Sequence, residues 1–227
     1  VDTTEELRRV MPFLDRARTA YPDVVLSLDT WRSEVAREAG AVGIDLVNDT
    51  WAGHDPDLVG VAAEFGSGIV VSHSGGLPPR TDPVAVTYGP DRLDVVRDVV
   101  ETLRRGSERA LEAGIPRERI LLDPTLDFGK TTAHSLEVLR HTGAIAQLGF
   151  PVLQAISRKD FVGESLDLPT DERLEGTLAA TAIAAWLGAT VFRTHDVRAT
   201  RRLLDMVATI RGDREPSVAR RGVPGAP

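Results

Sequence analysis

Pro151-Val152-Leu153-Gln154-Ala155-Ile156-Ser157-Arg158-Lys159-Asp160-Phe161-Val162-Gly163 decides the fold. The run Pro151 to Ile156 reads as a buried strand. It ends abruptly in a charged loop with a Gly, and a helix follows. In parallel α/β proteins that junction, the carboxyl end of a strand, is where ligands bind. Lysine usage singles out the same place. Of 27 Lys and Arg residues, only Lys130 and Lys159 are Lys, and both fall just after expected strands. A chain that otherwise uses Arg keeps a compact ammonium here rather than a planar fork.

Working outward, the same strand-then-helix unit recurs. Thr3 to Thr19 reads as an amphipathic helix with Thr3 or Thr4 as its cap and Leu7, Val10, Met11 and Leu14 as its apolar stripe. Strands are expected at Val24–Leu28, Leu46–Val47, Ile69–Val71, Ile120–Leu122, Pro151–Ile156 and Thr190–Arg193. Helices are expected over Ser33–Ala41, Asp57–Phe65, Asp91–Ala113 and Ala133–Leu148, from Thr170 or Asp171 to Leu187, and over Val197–Ile210. The segment Thr177–Trp186 is apolar nearly all round, which predicts burial or a subunit interface. A long Gly- and Pro-rich connection, Gly75–Pro90, is read as a functional loop. Residues 212–227 lose all periodicity and are expected to be a disordered tail behind one domain, residues 1–211.

Short apolar strands each followed by a helix predict a parallel sheet with right-handed crossovers. The fold class is α/β, and the architecture expected is a (β/α)8 TIM barrel. That barrel needs eight strands and roughly 250 residues. Six are visible, so an N-terminally incomplete barrel is expected, with Val24–Leu28 and Thr190–Arg193 flanking the gap. A doubly wound sheet is the rival, but no G-x-G-x-x-G follows the first strand.

Bulk properties narrow the function. The chain has 227 residues, 42% hydrophobic, with mean hydropathy −0.11 and net charge −7. There is no basic stripe for nucleic acid. No apolar run approaches the roughly 20 residues of a membrane span. Without Cys, neither disulfides nor thiolate metal sites can form. Nothing at the N-terminus resembles a signal peptide, so a cytoplasmic protein is expected.

Each strand ends in residues capable of chemistry: Asp29, Asn48, His73, Asp123, Lys159, and Arg193 with His195. In a parallel barrel these converge on one rim. Any one alone is weak, and Asp49 and Asp196 read first as helix caps. Together, two carboxylates and an amide can hydrogen-bond a flat heterocycle with a guanidine-like edge. Lys159, Arg193 and His195 can hold an anion. The five His residues include no closely spaced pair, so no metal ligands are assigned. His54, His134 and His141 read as solvated.

Five motifs together resemble dihydropteroate synthase. They are Leu28-Asp29-Thr30-Trp31-Arg32, Val47-Asn48-Asp49, Leu122-Asp123-Pro124 through Phe128-Gly129-Lys130-Thr131, Ser157-Arg158-Lys159 with Phe161-Val162-Gly163, and Arg193-Thr194-His195-Asp196-Val197. The resemblance implies a (β/α)8 barrel, a homodimer, and condensation of 6-hydroxymethyl-7,8-dihydropterin diphosphate with p-aminobenzoate in folate synthesis, assisted by Mg2+. It implies that Asp29, Asn48, Asp123 and Lys159 hold the pterin. Arg193 and His195 would bind diphosphate, and Phe128 and Arg158 would line the aminobenzoate side. Lys159, Arg193 and His195 are the expected catalytic cations.

Four positions depart from the family pattern. Ser72 stands for an apolar Met. Thr125 and Asp127 replace Gly residues of the loop after Asp123. Asp160 stands where a Ser commonly meets the aminobenzoate carboxylate. These departures resemble a divergent second form found in actinobacteria, so the alternative function is a pterin-binding or partner-binding paralogue with little synthase activity.

Overall fold

We describe residues 1–78 and 85–222 from a computed structural model. Six strands, β1 (Ser27–Asp29), β2 (Leu46–Asn48), β3 (Gly68–Ser72), β4 (Ile120–Asp123), β5 (Leu153–Gln154) and β6 (Val191–Phe192), run in chain order. β1 to β4 form one parallel ladder and β5 pairs with β6. The parallel bridge Leu122↔Val152 joins the two. The result is one arc with β1 and β6 at its edges, the strands expected to flank a gap.

Side chains alternate across each strand, and the alternation separates two cores. Leu28, Val47, Ile69, Val71, Ile120, Leu122 and Val152 belong to the large outer core. Val70, Leu153 and Ala155 form a small inner one with Leu46, Leu121 and Val191 around it. Two residues beyond Ser27, Leu46, Val70, Leu121 and Val191, the same inner face carries Asp29, Asn48, Ser72, Asp123 and Arg193. The period of two therefore places apolar side chains inside the arc and polar ones at its carboxyl rim.

Nine helices, α1 (Thr3–Ala20), α2 (Ser33–Val42), α3 (Leu58–Glu64), α4 (Asp94–Glu112), α5 (Thr132–Arg140), α6 (Thr142–Ala146), α7 (Asp160–Leu166), α8 (Leu174–Trp186) and α9 (Val197–Arg211), occur among the described residues. α4 shows why they pack: Val95, Val99, Leu103 and Ala110 fall on one stripe and are all buried. Each fully buried Val or Leu contributes about 1.5–3 kcal/mol.

Several boundaries differ from the sequence expectation. α1 is capped by Asp2, whose carboxylate accepts from the Glu5 N–H at 2.8 Å, not by Thr3 or Thr4. The first strand starts at Ser27 rather than Val24. The Arg18 guanidinium takes the carbonyls of Pro22 and Val24 at 2.8 and 3.0 Å, and Val25 is 71% exposed. The expected helix Ala133–Leu148 breaks at His141. There the Thr142 hydroxyl bonds the Leu139 carbonyl at 2.8 Å, a side-chain bond that competes with the helix ladder. The helix expected from Thr170 opens as a 3-10 turn, Thr170–Glu172, and α8 begins at Leu174. α8 buries Thr177, Thr181, Ala184 and Ala185 but leaves Ile183 and Trp186 more than half exposed. Residues 213–222 are exposed and carry no helix or strand, while 223–227 of the expected tail lie outside the described residues. So do 79–84 of the Gly75–Pro90 connection.

Candidate active site

The rim has two unlike halves. On β1 and β2, Asp29 is exposed and Asn48 half-buried. Their register pairs them directly, and the Asn48 amide donates to the Asp29 carboxylate. On β4 and β5, Asp123 is buried, and one of its oxygens accepts from the Thr125 N–H at 2.7 Å. Burial pushes the Asp123 carboxyl upward, opposed first by the Lys159 ammonium, then by the Thr125 N–H and Arg193. Burial pushes Lys159 down, and Asp123 and Asp127 restrain that fall. The Lys159 ammonium donates to the Leu126 carbonyl and lies 5.1 Å from the centre of the Phe128 ring.

Lys159, Arg193, Thr194 and His195 line an open cleft of about 340 Å³ with Ala155 and Ser157. Arg193 and His195 are exposed, and His195 is oriented by the Ser157 hydroxyl, 2.9 Å from its Nδ1. Both side chains are open to an incoming anion. Arg158 is not: its guanidinium grips both carboxylate oxygens of Asp196 at 3.1–3.2 Å. Asp196, expected as a helix cap, makes no side-chain cap bond to α9. Asp49 accepts from the N–H groups of Trp51 and Gly53 and so holds a turn rather than a helix. Asp160 opens α7, but its carboxylate is 80% exposed and pairs with Arg173 at 2.9 Å.

The loop after β4 is held by residues the sequence pattern did not single out as ligands. Asp127 accepts from Ser135 Oγ and from the N–H groups of Asp160 and Phe161 at 2.7 and 3.3 Å, so it caps α7 from a neighbouring loop. Burial raises its carboxyl, against the pull of Lys159. Beneath the loop lies Lys130, buried and brought down to about 7 by desolvation and by Lys159. The sequence marked it as one of two Lys and as part of the Phe128-Gly129-Lys130-Thr131 motif, without assigning it a role. Its partner His73 stood at a strand end, and Asp98 gave no signal at all.

Among the described residues, no three His, Asp or Glu side chains converge as a cage for a metal ion.

A profile of pterin binding enzymes matches residues 1–195. The chain belongs to the pterin-binding enzyme family. It is 52% identical over 223 residues to the protein named inactive dihydropteroate synthase 2 of Mycobacterium tuberculosis, covering 98% of this chain and 70% of the relative. It is 38% identical to the dihydropteroate synthase of Bacillus subtilis over 208 residues, 91% of this chain and 68% of the relative. A crystal structure of the Thermus thermophilus dihydropteroate synthase with 4-aminobenzoate superimposes with a TM-score of 0.84 at 36% identity, covering 92% of this chain and 79% of that one. These likenesses identify the six-stranded arc as part of a TIM barrel.

The departures from the family pattern now have physical content. Thr125 and Asp127, where the family pattern has Gly, sit at φ +50° and +70°, the region Gly enters without strain. Each compensates with its side chain. Thr125 Oγ1 bonds the Asp123 carbonyl at 3.0 Å, and Asp127 caps α7. Ser72, in place of Met, donates to the Asp49 carbonyl and accepts from the Ala52 N–H, pinning the loop after β2.

Proposed function

We propose that this chain binds a dihydropterin methyl diphosphate at the rim and joins it to p-aminobenzoate, the dihydropteroate synthase reaction. The observation that carries the reading is the buried Asp123 carboxylate, its charge favoured by the Lys159 ammonium, on the same rim as Asp29 and Asn48. Carboxylates accept the N–H groups of a guanidine-like heterocycle edge, and Asn48 and Lys159 donate to its carbonyl and ring nitrogens. Phe128 offers a ring beside them. Arg193 and His195 hold the diphosphate in the open cleft. The aromatic amine attacks the methylene carbon. The C–N bond forms as the C–O bond to diphosphate breaks, and the amine proton leaves to solvent. Fixed cations that neutralise the departing diphosphate supply electrostatic catalysis. Lys159, Arg193 and His195 are the catalytic groups in this reading, and Arg158 and Asp160 stand at the aminobenzoate side. Mg2+ would arrive with the diphosphate as its counterion, keeping most of its other ligands from water and phosphate.

The setting we propose is a cytoplasmic homodimer without nucleic-acid or membrane partners. No described helix is long and apolar enough to cross a membrane. Ile183 and Trp186, one turn apart on α8, present an exposed apolar face suited to a second copy.

One observation favours a second reading, pterin binding with little or no turnover. Asp127 already places a carboxylate beside Lys159, where it opposes the arrival of another. Calorimetric titration with the pterin and an assay of dihydropteroate formation by the full-length protein separate the two. Binding with formation is the synthase, binding alone is the paralogue, and no binding overturns both.

A further inference from the structure

Lys130 is 2% exposed and lies outside the rim, between the end of β3 and the loop after β4. Its ammonium nitrogen is 2.7 Å from His73 Nδ1, 3.0 Å from the Phe128 carbonyl, 3.2 Å from the Thr125 carbonyl and 3.4 Å from the His73 carbonyl. Across the same imidazole, Nε2 is 2.6 Å from the Asp98 carboxylate. An ammonium only donates, so Nδ1 accepts and the Nε2–H donates to Asp98. Asp98 sits on α4 with its side chain 52% exposed. A continuous line of hydrogen bonds therefore runs from solvent, through a buried imidazole, to a buried ammonium. The loop that this ammonium holds from below grips Lys159 from above, through the Leu126 carbonyl and the Phe128 ring.

We propose that Asp98, His73 and Lys130 form a proton-linked relay that positions Lys159 from the outer face of the sheet. Its functional meaning rests on Lys159 belonging to the pterin site. The charged ammonium has three N–H donors for its four acceptors, and the neutral amine has two. Losing the proton therefore frees a loop carbonyl or the imidazole. The titratable groups facing Lys130 come from every neighbouring element. Asp98, Asp123 and Asp127 favour its charged form, and Lys159 and burial oppose it. Lys130 in turn disfavours the charged forms of His73 and of His134. Tyr88 donates to the Gly129 carbonyl and closes the loop on its remaining side. Asp98 is the group of this set that pairs directly with His73, and neutralising it weakens the hold of both His73 and Lys130 on their protons.

The chain's two Lys make the test direct. Lysine labelled with carbon and nitrogen isotopes gives one side-chain signal for Lys130 and one for Lys159 in the whole protein. Between pH 5 and 9 the Lys130 signal titrates, and the Lys159 methylene protons, shifted by the Phe128 ring, move with the same midpoint. Asp98→Asn lowers both midpoints by roughly one unit, a tenfold change in proton affinity. Lys130→Met removes the inflection at Lys159. Coupling through space without loop displacement would move the Lys159 nitrogen but leave its ring-shifted protons flat, and that outcome overturns the proposal. So does an unchanged midpoint in Asp98→Asn. Should that variant fail to fold, the wild-type titration decides by the same criterion. No pterin is present in this experiment, so its failure is separate from failure of the pocket itself.

Discussion

Asp29 and Asp123 each end a strand on the same inner face, at the carboxyl rim. Their surroundings differ sharply. β4 is flanked by β3 and β5, and Asp123 is buried, its charge favoured by the Lys159 ammonium. β1 is an edge, and Asp29 is exposed, with the Asn48 amide donating to its carboxylate. The residue type is identical, so the neighbours decide how each carboxylate behaves. On the β4 side, fixed partners hold the groups in place before any ligand arrives. On the β1 side, the ligand itself would supply much of the order.

Gly129 tests the rigidity of the β4 side. It sits at φ +60°, and a Cβ there would collide with the Ser74 carbonyl oxygen. Neither side can give way cheaply, because the obstacle is backbone. Gly129→Ala is expected to cost about 3 kcal/mol or more of stability, or to prevent folding, as read by urea unfolding. A loss below about 1 kcal/mol would show that this loop yields.

The carboxylates themselves come next. Asp123→Ala leaves Lys159 half-buried with one compensating charge fewer, and should cost about 2–4 kcal/mol of stability. Asp29→Ala removes an exposed partner and should cost under about 1 kcal/mol. Pterin affinity should fall by about 1–3 kcal/mol in both, since each removes one hydrogen-bonding group. Equal stability losses would erase the contrast between the halves. Unchanged affinity in folded Asp123→Ala would mean that the pocket lies elsewhere.

The pH dependence of stability probes the same side. Lys130 holds its proton to about pH 7 when folded, against an ordinary value of 10.5. Between those limits the unfolded chain binds a proton that the folded chain has released. Stability therefore rises with pH across this window, and the cost of the buried charge is fully present below it. Lys159 acts in the same direction. Urea midpoints at pH 7 and pH 9 should show the rise, and Lys130→Met should flatten it by at least half. An unchanged slope would assign the effect to other groups.

The rim placement of several candidate residues was legible in the sequence. Period-two alternation and the polar strand ends located Asp29, Asn48, Asp123 and Arg193, because side-chain direction along a strand is fixed by the backbone. Partners across loops were not legible. Asp127 caps α7 from 33 residues away, and Asp98 meets His73 across 25. Local patterns carry no information about such separations. Helix ends also escaped, as at His141, where the Thr142 hydroxyl takes the Leu139 carbonyl, and at Leu174, where a 3-10 turn precedes the helix. The sequence likewise offered Arg158 to the ligand, and only the tertiary pairing shows Asp196 already holding it.

The smallest effect expected is at Asp160. Its place beside Lys159 suggests repulsion of an incoming aryl carboxylate, about 4 kcal/mol for unit charges 4 Å apart at an effective dielectric of 20. The structure reduces this. The Asp160 carboxylate is 80% exposed and paired with Arg173 at 2.9 Å, so solvent and a guanidinium both screen it. Asp160→Ser should change stability by less than about 1 kcal/mol. It should improve p-aminobenzoate affinity by less than tenfold, under about 1.4 kcal/mol. Asp127 is the stronger obstacle, being better buried and itself facing Lys159. Asp127→Asn keeps an acceptor for the α7 N–H groups while removing the charge, so it should improve that affinity more than Asp160→Ser does. Calorimetric titration of both variants with p-aminobenzoate, each saturated with pterin and diphosphate, gives the ranking. If Asp160→Ser gained the larger factor, Arg173 would not be screening Asp160 in solution, and the barrier to the second substrate would lie at the mouth of the cleft rather than beneath Lys159.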